Sequence, residues 1–310
     1  MSDPQTIALS LAASAGLDGA ALVARPGVVP VASPMYQGVD ATAYRLSDGS
    51  RQVWARIPHP DAFFADPASG IAAAHAAGVA GLGPQVLADA PGTGALIMED
   101  LSDSHRTGTL DRLLDPQIRE AVLRARTRFQ AGPPLPRSRS VFSHIASLAA
   151  QAEDAAVALP PDWPWMQGWM RAAGEAIAAA GIDLVPAHGD GNASNLLIGA
   201  GGDIRLVDFD MAAMMDPFED LGSFLVEAHA FDPDAQESME MACGRMDERL
   251  FNRARIYGVA DDLRWGLIGA ILARTSGRTE LEFLKYAAWR FLRARFALRD
   301  PRFEERVRRL

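Results

Sequence analysis

Lysine is almost missing from this sequence, and cysteine is equally rare. Lys285 is the only lysine among 30 basic residues, so chemistry that normally uses a lysine must use Lys285 or an arginine. The single cysteine, Cys243, cannot form a disulfide within the chain, which favours a reducing compartment. No apolar run approaches the roughly 20 residues that cross a bilayer, and the N-terminus lacks a basic segment followed by an apolar one. We therefore expect a cytoplasmic protein with no membrane partner.

An excess of positive charge is absent as well. The 310 residues carry a net charge of −9, and we expect no nucleic-acid partner because nucleic-acid surfaces are usually basic. The acidic balance is compatible with a cationic small-molecule substrate. The sequence also lacks the hydrolase nucleophile elbow, the dinucleotide-binding glycine motif and the Walker phosphate loop. These absences disfavour hydrolases and dehydrogenases.

The pattern of apolar residues divides the chain into two parts. Residues 1–24 have helical spacing, and residues 28–57 change to short β-like runs with a turn at 47–50. A helix is predicted at 68–80, with strands at 85–87 and 95–98. Helical spacing then prevails, at 115–130, 141–158, 164–180, 216–230, 234–256, 261–274 and 279–298. The sequence thus predicts an α+β fold with a small β-rich lobe followed by a larger, mainly helical lobe.

The stretch 184–210 interrupts the helices. Two apolar runs flank a glycine-rich turn there, which predicts a β-hairpin. Asn195 comes just before the first run and Asp208 at the end of the second, and their midpoint lies inside the turn. Pairing across the hairpin would therefore bring the two side chains together. An amide oxygen beside a carboxylate is a hard-oxygen site that suits Mg²⁺ carrying nucleotide phosphates.

Asp190 lies on the loop that leads into this hairpin, five residues before Asn195. A carboxylate there can accept the proton of a substrate hydroxyl that attacks the γ-phosphate, as in the kinase catalytic loop. Single Asp and Asn residues on loops are usually turn formers, but the joint pattern favours a phosphotransferase site. We expect His188 to brace the loop. Asp210 could cap the loop or bind a second metal ion, and we favour the latter.

Residues 188–220 resemble the signature of the aminoglycoside phosphotransferase/choline kinase family, which is related to protein kinases. The resemblance implies a protein-kinase-like two-lobe fold that uses ATP and Mg²⁺, with Asp190 as the catalytic base and Asn195 and Asp208 as metal ligands. It also implies that an aspartate within 216–222 ties the catalytic loop in place. The corresponding domains are an N-lobe at 1–97, a hinge at 98–103 and a C-lobe at 104–310.

The resemblance also extends to the nucleotide loop of the N-lobe. Gly38 fits this loop, while Gln37 and Ala41 stand where the family usually has a glycine and an asparagine. Arg56 takes the phosphate-anchoring position, and arginine can contact phosphate bidentately. The following helix has no glutamate to partner Arg56, and Asp66 at its start is a candidate substitute. The segment that resembles the adenine-binding hinge contains Met98, Glu99 and Leu101.

The last helices resemble those of choline and ethanolamine kinases, and this likeness places Glu227, Trp265 and Tyr286 around a cationic amine. Aromatic faces attract ammonium groups, and a carboxylate adds charge. The alternative is that these aromatic residues pack in the core. Ile268 stands where choline kinases carry a second tryptophan. The expected substrate is therefore a small amino alcohol of the choline or ethanolamine type.

Two alternatives remain open at this point. One is a kinase for an aminoglycoside or another amino alcohol, whose amines could meet carboxylates at Asp261, Asp262, Glu280 and Glu282. The other is a non-catalytic nucleotide-binding pseudokinase, which the irregular nucleotide loop favours. The intact set of base and metal ligands favours an enzyme.

Overall fold

The computed structural model describes residues 3–33 and 36–310. The strands are β1 (Val23–Pro26), β2 (Ala41–Ser47), β3 (Gln52–Pro58), β4 (Val86–Ala90), β5 (Ala95–Glu99), β6 (His105–Thr107), β7 (Val185–Ala187), β8 (Leu196–Gly199), β9 (Ile204–Leu206) and β10 (Ala213–Met215). The α-helices are α1 (Pro4–Ser14), α2 (Pro67–Val79), α3 (Pro116–Gln130), α4 (Val141–Asp154), α5 (Trp163–Ala179), α6 (Pro217–Ala228), α7 (Asp232–Cys243), α8 (Glu248–Thr275), α9 (Phe283–Arg299) and α10 (Pro301–Arg308).

The N-terminal part of the described chain is an antiparallel sheet in the order β1-β2-β3-β5-β4. Successive side chains of β3 point to opposite faces of this sheet. Val53, Ala55 and Ile57 are buried against α1, whereas Trp54 and Arg56 point to the opposite face. The predicted β2–β3 hairpin is confirmed, and its turn is closed by Asp48, whose Oδ1 accepts hydrogen bonds from the backbone of Ser50 and Arg51 at 2.9 and 2.8 Å.

The C-terminal part is built around α8, which is buried along most of its length. It packs against α4, α6 and α9, and these helices share a core with the aromatic residues of α5 and α9. Two small sheets are formed by β7 with β10 and by β6 with β8 and β9, and residues of β6 and β8 share a cavity with the N-terminal sheet. The predicted α+β class, with a β-rich part followed by a mainly helical one, is therefore confirmed.

Three predictions of local structure are wrong. The helix expected at 1–24, of which residues 1 and 2 lie outside the described chain, ends at Ser14, because Gly16 turns into the left-handed region at φ 84° and β1 follows. The strand expected at 28–31 is reduced to a single bridge at Val31 in the described chain. The break expected between 256 and 261 instead falls after α7, where Gly244 adopts φ 73°, and α8 continues without interruption. No helix among residues 3–33 and 36–310 is long and apolar enough to cross a membrane.

Candidate active site

The hairpin formed by β8 and β9 is present, with a register that differs by one residue from the prediction. Leu196 pairs with Leu206, so Asn195 lies opposite Val207, whose N–H donates to the Asn195 carbonyl at 3.0 Å. Asp208 comes one residue later and adopts φ 63°, a left-handed conformation that is uncommon outside glycine. This bend takes Asp208 out of the strand direction. Both Asn195 and Asp208 line the same cleft.

Asp190 is buried on the loop before this hairpin and is held by two donors. Its Oδ1 accepts from the backbone N–H of Asn192 and its Oδ2 from Asn195 Nδ2, each at 2.9 Å. Burial raises the pKa of Asp190 above its ordinary value, and the hydrogen bond from Asn192 partly opposes this. The same amide group of Asn195 thus fixes the carboxylate through its nitrogen, which leaves its oxygen for another ligand.

A second set of residues, from α3 and α6, holds the backbone of the catalytic loop in place. Asp220, in the first turns of α6, accepts hydrogen bonds from the backbone N–H of Gly189 at 2.8 Å and from Arg126 Nη1 at 2.7 Å. Arg126 also donates to the Asp190 carbonyl at 2.5 Å, so one buried ion pair fixes both sides of the loop. His188 braces the loop through its Nε2 and the Val207 carbonyl at 2.9 Å, and burial lowers its pKa.

Gly191 explains why the loop can approach α6 so closely. A Cβ at this position would lie 2.0 Å from the Ser223 carbonyl oxygen and 2.8 Å from the Phe224 nitrogen. Real Cβ atoms do not approach backbone atoms at such distances, and both atoms belong to a buried helix. The loop conformation therefore depends on glycine at 191.

Arg56 extends from β3 to both aspartates that follow β9. Its Nη2 lies 2.8 Å from Asp208 Oδ1 and 2.6 Å from Asp210 Oδ2. Although burial disfavours its charge, these carboxylates raise the pKa of Arg56, while burial raises that of Asp210. The suggestion that Asp66 partners Arg56 is wrong, since Asp66 caps α2 through Ser69 N at 3.0 Å and pairs with Arg137 at 3.0 Å.

The five residues predicted to bind the nucleotide lie around one cavity of about 610 Å³ between the sheet and the helical region. Its lining includes Gly38, Arg56, Met98, Glu99 and Leu101, together with the catalytic-side residues Asn195 and Asp208. Such a volume is in the range of cofactor sites. Gly38 adopts φ 62°, and a Cβ there would meet Val28 Cγ1 at 2.6 Å, so the loop needs glycine at this point. The Glu99 N–H is already bonded to the Gln85 carbonyl at 2.8 Å.

The three residues predicted to contact the substrate also lie together, but their surroundings differ from an open aromatic cage. Trp265 and Tyr286 have ring centroids 6.5 Å apart, and each is only 2 % exposed. Glu227 lies nearby with its side chain 14 % exposed, and partial burial raises its pKa. Arg290, which sequence reasoning missed, lies between Glu227 and Tyr286 and donates from Nε to the Tyr286 hydroxyl at 2.9 Å.

Tyr36 is the second residue that sequence reasoning missed in this region. It comes from the segment before β2, and its ring centroid lies 5.0 Å from that of Trp265 and 4.9 Å from that of Tyr286. Its hydroxyl donates to the buried Asp40 at 2.8 Å, and its carbonyl accepts from Asn192 Nδ2 at 2.7 Å. The nucleotide loop is thus joined directly to the catalytic loop, a contact that no local pattern could reveal.

The donor set at the end of the hairpin fits a magnesium ion. Asn195 offers an amide oxygen, and Asp208 and Asp210 offer carboxylates that already share one cationic nitrogen, Arg56 Nη2. Hard oxygen ligands of this kind are those that Mg²⁺ prefers. The residues present therefore suit a metal that accompanies nucleotide phosphates.

A cleft between a sheet and a helical region, with a buried aspartate held by an asparagine of the cleft wall, is consistent with the arrangement of kinase-like phosphotransferases. Residues 32–259 match the sequence profile described as the Phosphotransferase enzyme family, APH, and the chain therefore belongs to this family. It is a small-molecule kinase, as the sequence predicted. No curated protein sequence matches the chain significantly.

Solved structures with the same fold include kinases of small alcohols. A choline/ethanolamine kinase family protein from Mesorhizobium loti is 24% identical with a TM-score of 0.75, covering 89% of this chain and 92% of that one. Choline kinase LicA in complex with AMP is 13% identical with a TM-score of 0.75, covering 95% and 97%. A microcompartment-associated aminopropanol kinase is 15% identical with a TM-score of 0.67, covering 95% and 97%. These TM-scores establish the fold and confirm the predicted kinase-like class.

Proposed function

We propose that this chain transfers the γ-phosphoryl group of ATP, with Mg²⁺, to the hydroxyl of a small alcohol that carries a cationic amine. The observation that carries this proposal is the position of Asp190, which is held by Asn192 and Asn195 and lies close to Glu227. Asn195 itself lines the nucleotide-sized cleft, so the carboxylate of Asp190 lies directly behind the cleft wall. Choline, ethanolamine and aminopropanol appear among the names of proteins with the same fold, which supports this substrate class.

Asp190 acts as the base in this mechanism. The two hydrogen bonds to its oxygens fix the carboxylate, and its raised pKa makes it a better proton acceptor than an exposed aspartate. The substrate hydroxyl would lie against this carboxylate and lose its proton as it attacks phosphorus. Phosphoryl transfer needs mainly positioning and charge stabilisation, so a fixed carboxylate suits the task.

Arg56 supplies a cation at the other side of the transferred group. It lies on the face of β3 that lines the cleft, with its guanidinium beside Asp208 and Asp210. Asn195 and Asp208 would hold Mg²⁺, with Asp210 as the candidate ligand for a second ion; the metal would neutralise phosphate charge. The backbone near Met98 and Leu101 would receive the adenine.

The surroundings of Asp190 favour a single positive charge over a polycation. Asp261 and Asp262 are buried and paired with arginines, and Glu282 pairs with Lys285 at the surface at 3.0 Å. These carboxylates are therefore not arranged as an open acidic surface for several amines. This favours a small amino alcohol over an aminoglycoside.

A coupled ADP-release assay tests the proposal. The purified chain is supplied with Mg·ATP and a panel of choline, ethanolamine, aminopropanol, other amino alcohols and aminoglycosides. We expect substrate-dependent ADP release for the small amino alcohols, and its loss in Asp190→Asn while Mg·ATP binding persists. Asp203→Asn, on the exposed tip of the same hairpin, is the matched control and should keep activity. Full activity of Asp190→Asn would overturn the assignment of the base.

A further inference from the structure

The two aromatic rings expected to receive an ammonium group are already packed against other residues in this protein, and each is 2 % exposed. The guanidinium carbon of Arg290 lies 5.4 Å from the centroid of the Tyr286 ring. The Trp265 ring is in contact with Tyr36 at 5.0 Å and with Phe64 at 5.5 Å between centroids. A cation that binds through ring faces needs those faces free and within about 6 Å of its charge. Within residues 3–33 and 36–310, a quaternary ammonium group therefore finds no open aromatic cage around Trp265 and Tyr286.

The carboxylates near these two rings are arranged differently. Arg290 Nη1 pairs with Asp262 at 2.8 Å, which neutralises that carboxylate. Glu227, in contrast, has its closest guanidinium nitrogens at 4.0 Å from Arg290 and 3.9 Å from Arg293. These distances are too long for hydrogen bonds, and among the described residues no donor bonds to the Glu227 carboxylate. The Glu227 side chain is 14 % exposed, so this carboxylate can be reached from outside, and an N–H group from a ligand would give it a donor.

The charges around this carboxylate leave room for one more cation. Within the described chain, Asp190, Glu227, Asp261 and Asp262 face the guanidinium groups of Arg264, Arg290 and Arg293. Arg264 is also shared with Glu219 at 3.7 Å, so carboxylates outnumber guanidinium groups among these residues. This excess of negative charge favours a ligand that carries an ammonium group.

On the basis of the proposed function, we propose that Arg290 is a specificity-determining residue that makes this kinase select amino alcohols with an N–H bond and reject quaternary ones. Arg290 covers the Tyr286 ring face that a trimethylammonium group would use, and it neutralises Asp262. Glu227 is left as the hydrogen-bond acceptor for the substrate's ammonium group. A primary, secondary or tertiary ammonium can donate to Glu227, whereas a quaternary one cannot.

A methylation series of one alcohol tests this selection. Binding of 2-aminoethanol, its N-methyl and N,N-dimethyl derivatives and choline is measured by calorimetry with a non-hydrolysable ATP analogue and Mg²⁺, and kcat/KM is measured with ATP. A hydrogen bond to a charged group contributes enough to change affinity by roughly tenfold or more, so the largest drop should come at the last methylation, where the final N–H is lost. Choline bound and phosphorylated as well as 2-aminoethanol would overturn the inference while leaving the proposed function intact. If no member of the series binds or is phosphorylated, the proposed function fails and the inference falls with it.

Variants of Arg290 and of its neighbours test whether Arg290 is responsible for this selection. The double variant Arg290→Met with Asp262→Asn removes both charges of the pair, while Arg293, the other partner of Asp262, keeps Glu227 at 3.9 Å. The ratio of 2-aminoethanol to choline in kcat/KM should fall by roughly tenfold. The matched control is Arg295→Met with Asp162→Asn, which removes an ion pair between another arginine of α9 and the residue that precedes α5. Its contacts at 2.6 and 2.7 Å do not involve Glu227 or Tyr286, so the ratio should stay unchanged. Glu227→Gln should weaken 2-aminoethanol binding and leave choline binding as it was. An unchanged ratio in a folded Arg290→Met/Asp262→Asn protein, verified by its melting curve, would refute the role of Arg290.

Discussion

The buried ion pair behind the catalytic loop gives a prediction whose size can be worked out from its contacts. Asp220 is 1 % exposed and accepts from Gly189 N, Arg126 Nη1 and Gln130 Nε2 at 2.8, 2.7 and 3.1 Å. Asp220→Asn keeps the size of the side chain but leaves the Arg126 guanidinium buried without its counter-charge. Breaking a buried pair in this way costs about 3–5 kcal/mol, which for a chain of this length lowers Tm by roughly 5–15 °C.

The same substitution should also affect turnover, because Gly189 is the residue directly before Asp190. A displacement of about 1 Å at a reacting group can lower the rate by roughly 100-fold, so we expect kcat to fall far more than nucleotide affinity. Calorimetric unfolding and steady-state kinetics measure both effects. Glu120→Gln is the control, because its pair with Arg124 at 2.6 Å is exposed and its loss should change stability by less than about 0.5 kcal/mol.

A double-mutant cycle separates the pair from the size of the side chains. In the Asp220→Asn background, Arg126→Met should cost less than in the wild type, with a coupling of roughly 1–3 kcal/mol. If Asp220→Asn unfolds at the same temperature as Glu120→Gln and keeps its kcat, the account of the catalytic loop is refuted.

Three further predictions follow from other buried groups. Gly191→Ala forces a Cβ against the Ser223 carbonyl and should destabilise the protein by at least about 3 kcal/mol. Its control is Gly92→Ala, which should be neutral because a Cβ there meets nothing within 4 Å. Equal melting curves of the two variants would contradict this expectation. Burial raises the pKa of Glu219 from 4.5 to about 7. As the pH rises, this carboxyl therefore loses its proton in the unfolded chain before it does so in the folded protein. The free energy of unfolding should fall through this pH interval by roughly 3 kcal/mol in total. Glu219→Gln should remove that slope, and parallel pH profiles of unfolding would show the carboxyl to be unimportant. Because burial raises the pKa of Asp190 above 3.8, kcat/KM should fall with decreasing pH at a midpoint above this value; a midpoint at or below 3.8 would argue against Asp190 as the base.

Local patterns were sufficient for much of the architecture. The β2–β3 hairpin has an Asp-Gly turn between alternating strands, and α2 begins with an aspartate cap followed by Pro67, so both signals are contained within a few residues. The β8–β9 hairpin was also readable, although its register was displaced by one residue. The register was predicted from the midpoint between Asn195 and Asp208, and this midpoint does not indicate the left-handed bend at Asp208. The bend moves the Asp208 side chain away from a strict cross-strand pairing.

The residues that surround Glu227, Trp265 and Tyr286 could not be predicted from local sequence patterns. Arg290 contacts Glu227 and Asp262, and Tyr36 contacts Trp265, through pairings between elements that are far apart in the chain. Helical spacing predicts that Tyr286 and Arg290 share a face of α9, but it does not reveal what packs against that face. Likewise, the missing helix glutamate gave no indication that Asp210 would contact Arg56.

The most direct test of the central claim is to follow the phosphoryl group itself. Phosphorus NMR of the chain with Mg·ATP and 2-aminoethanol should show one phosphomonoester formed for each ADP, and Asp190→Asn should abolish this signal. Formation of inorganic phosphate alone, or a phosphomonoester signal of equal size with Asp190→Asn, would contradict the assignment of an alcohol kinase that uses Asp190 as its base.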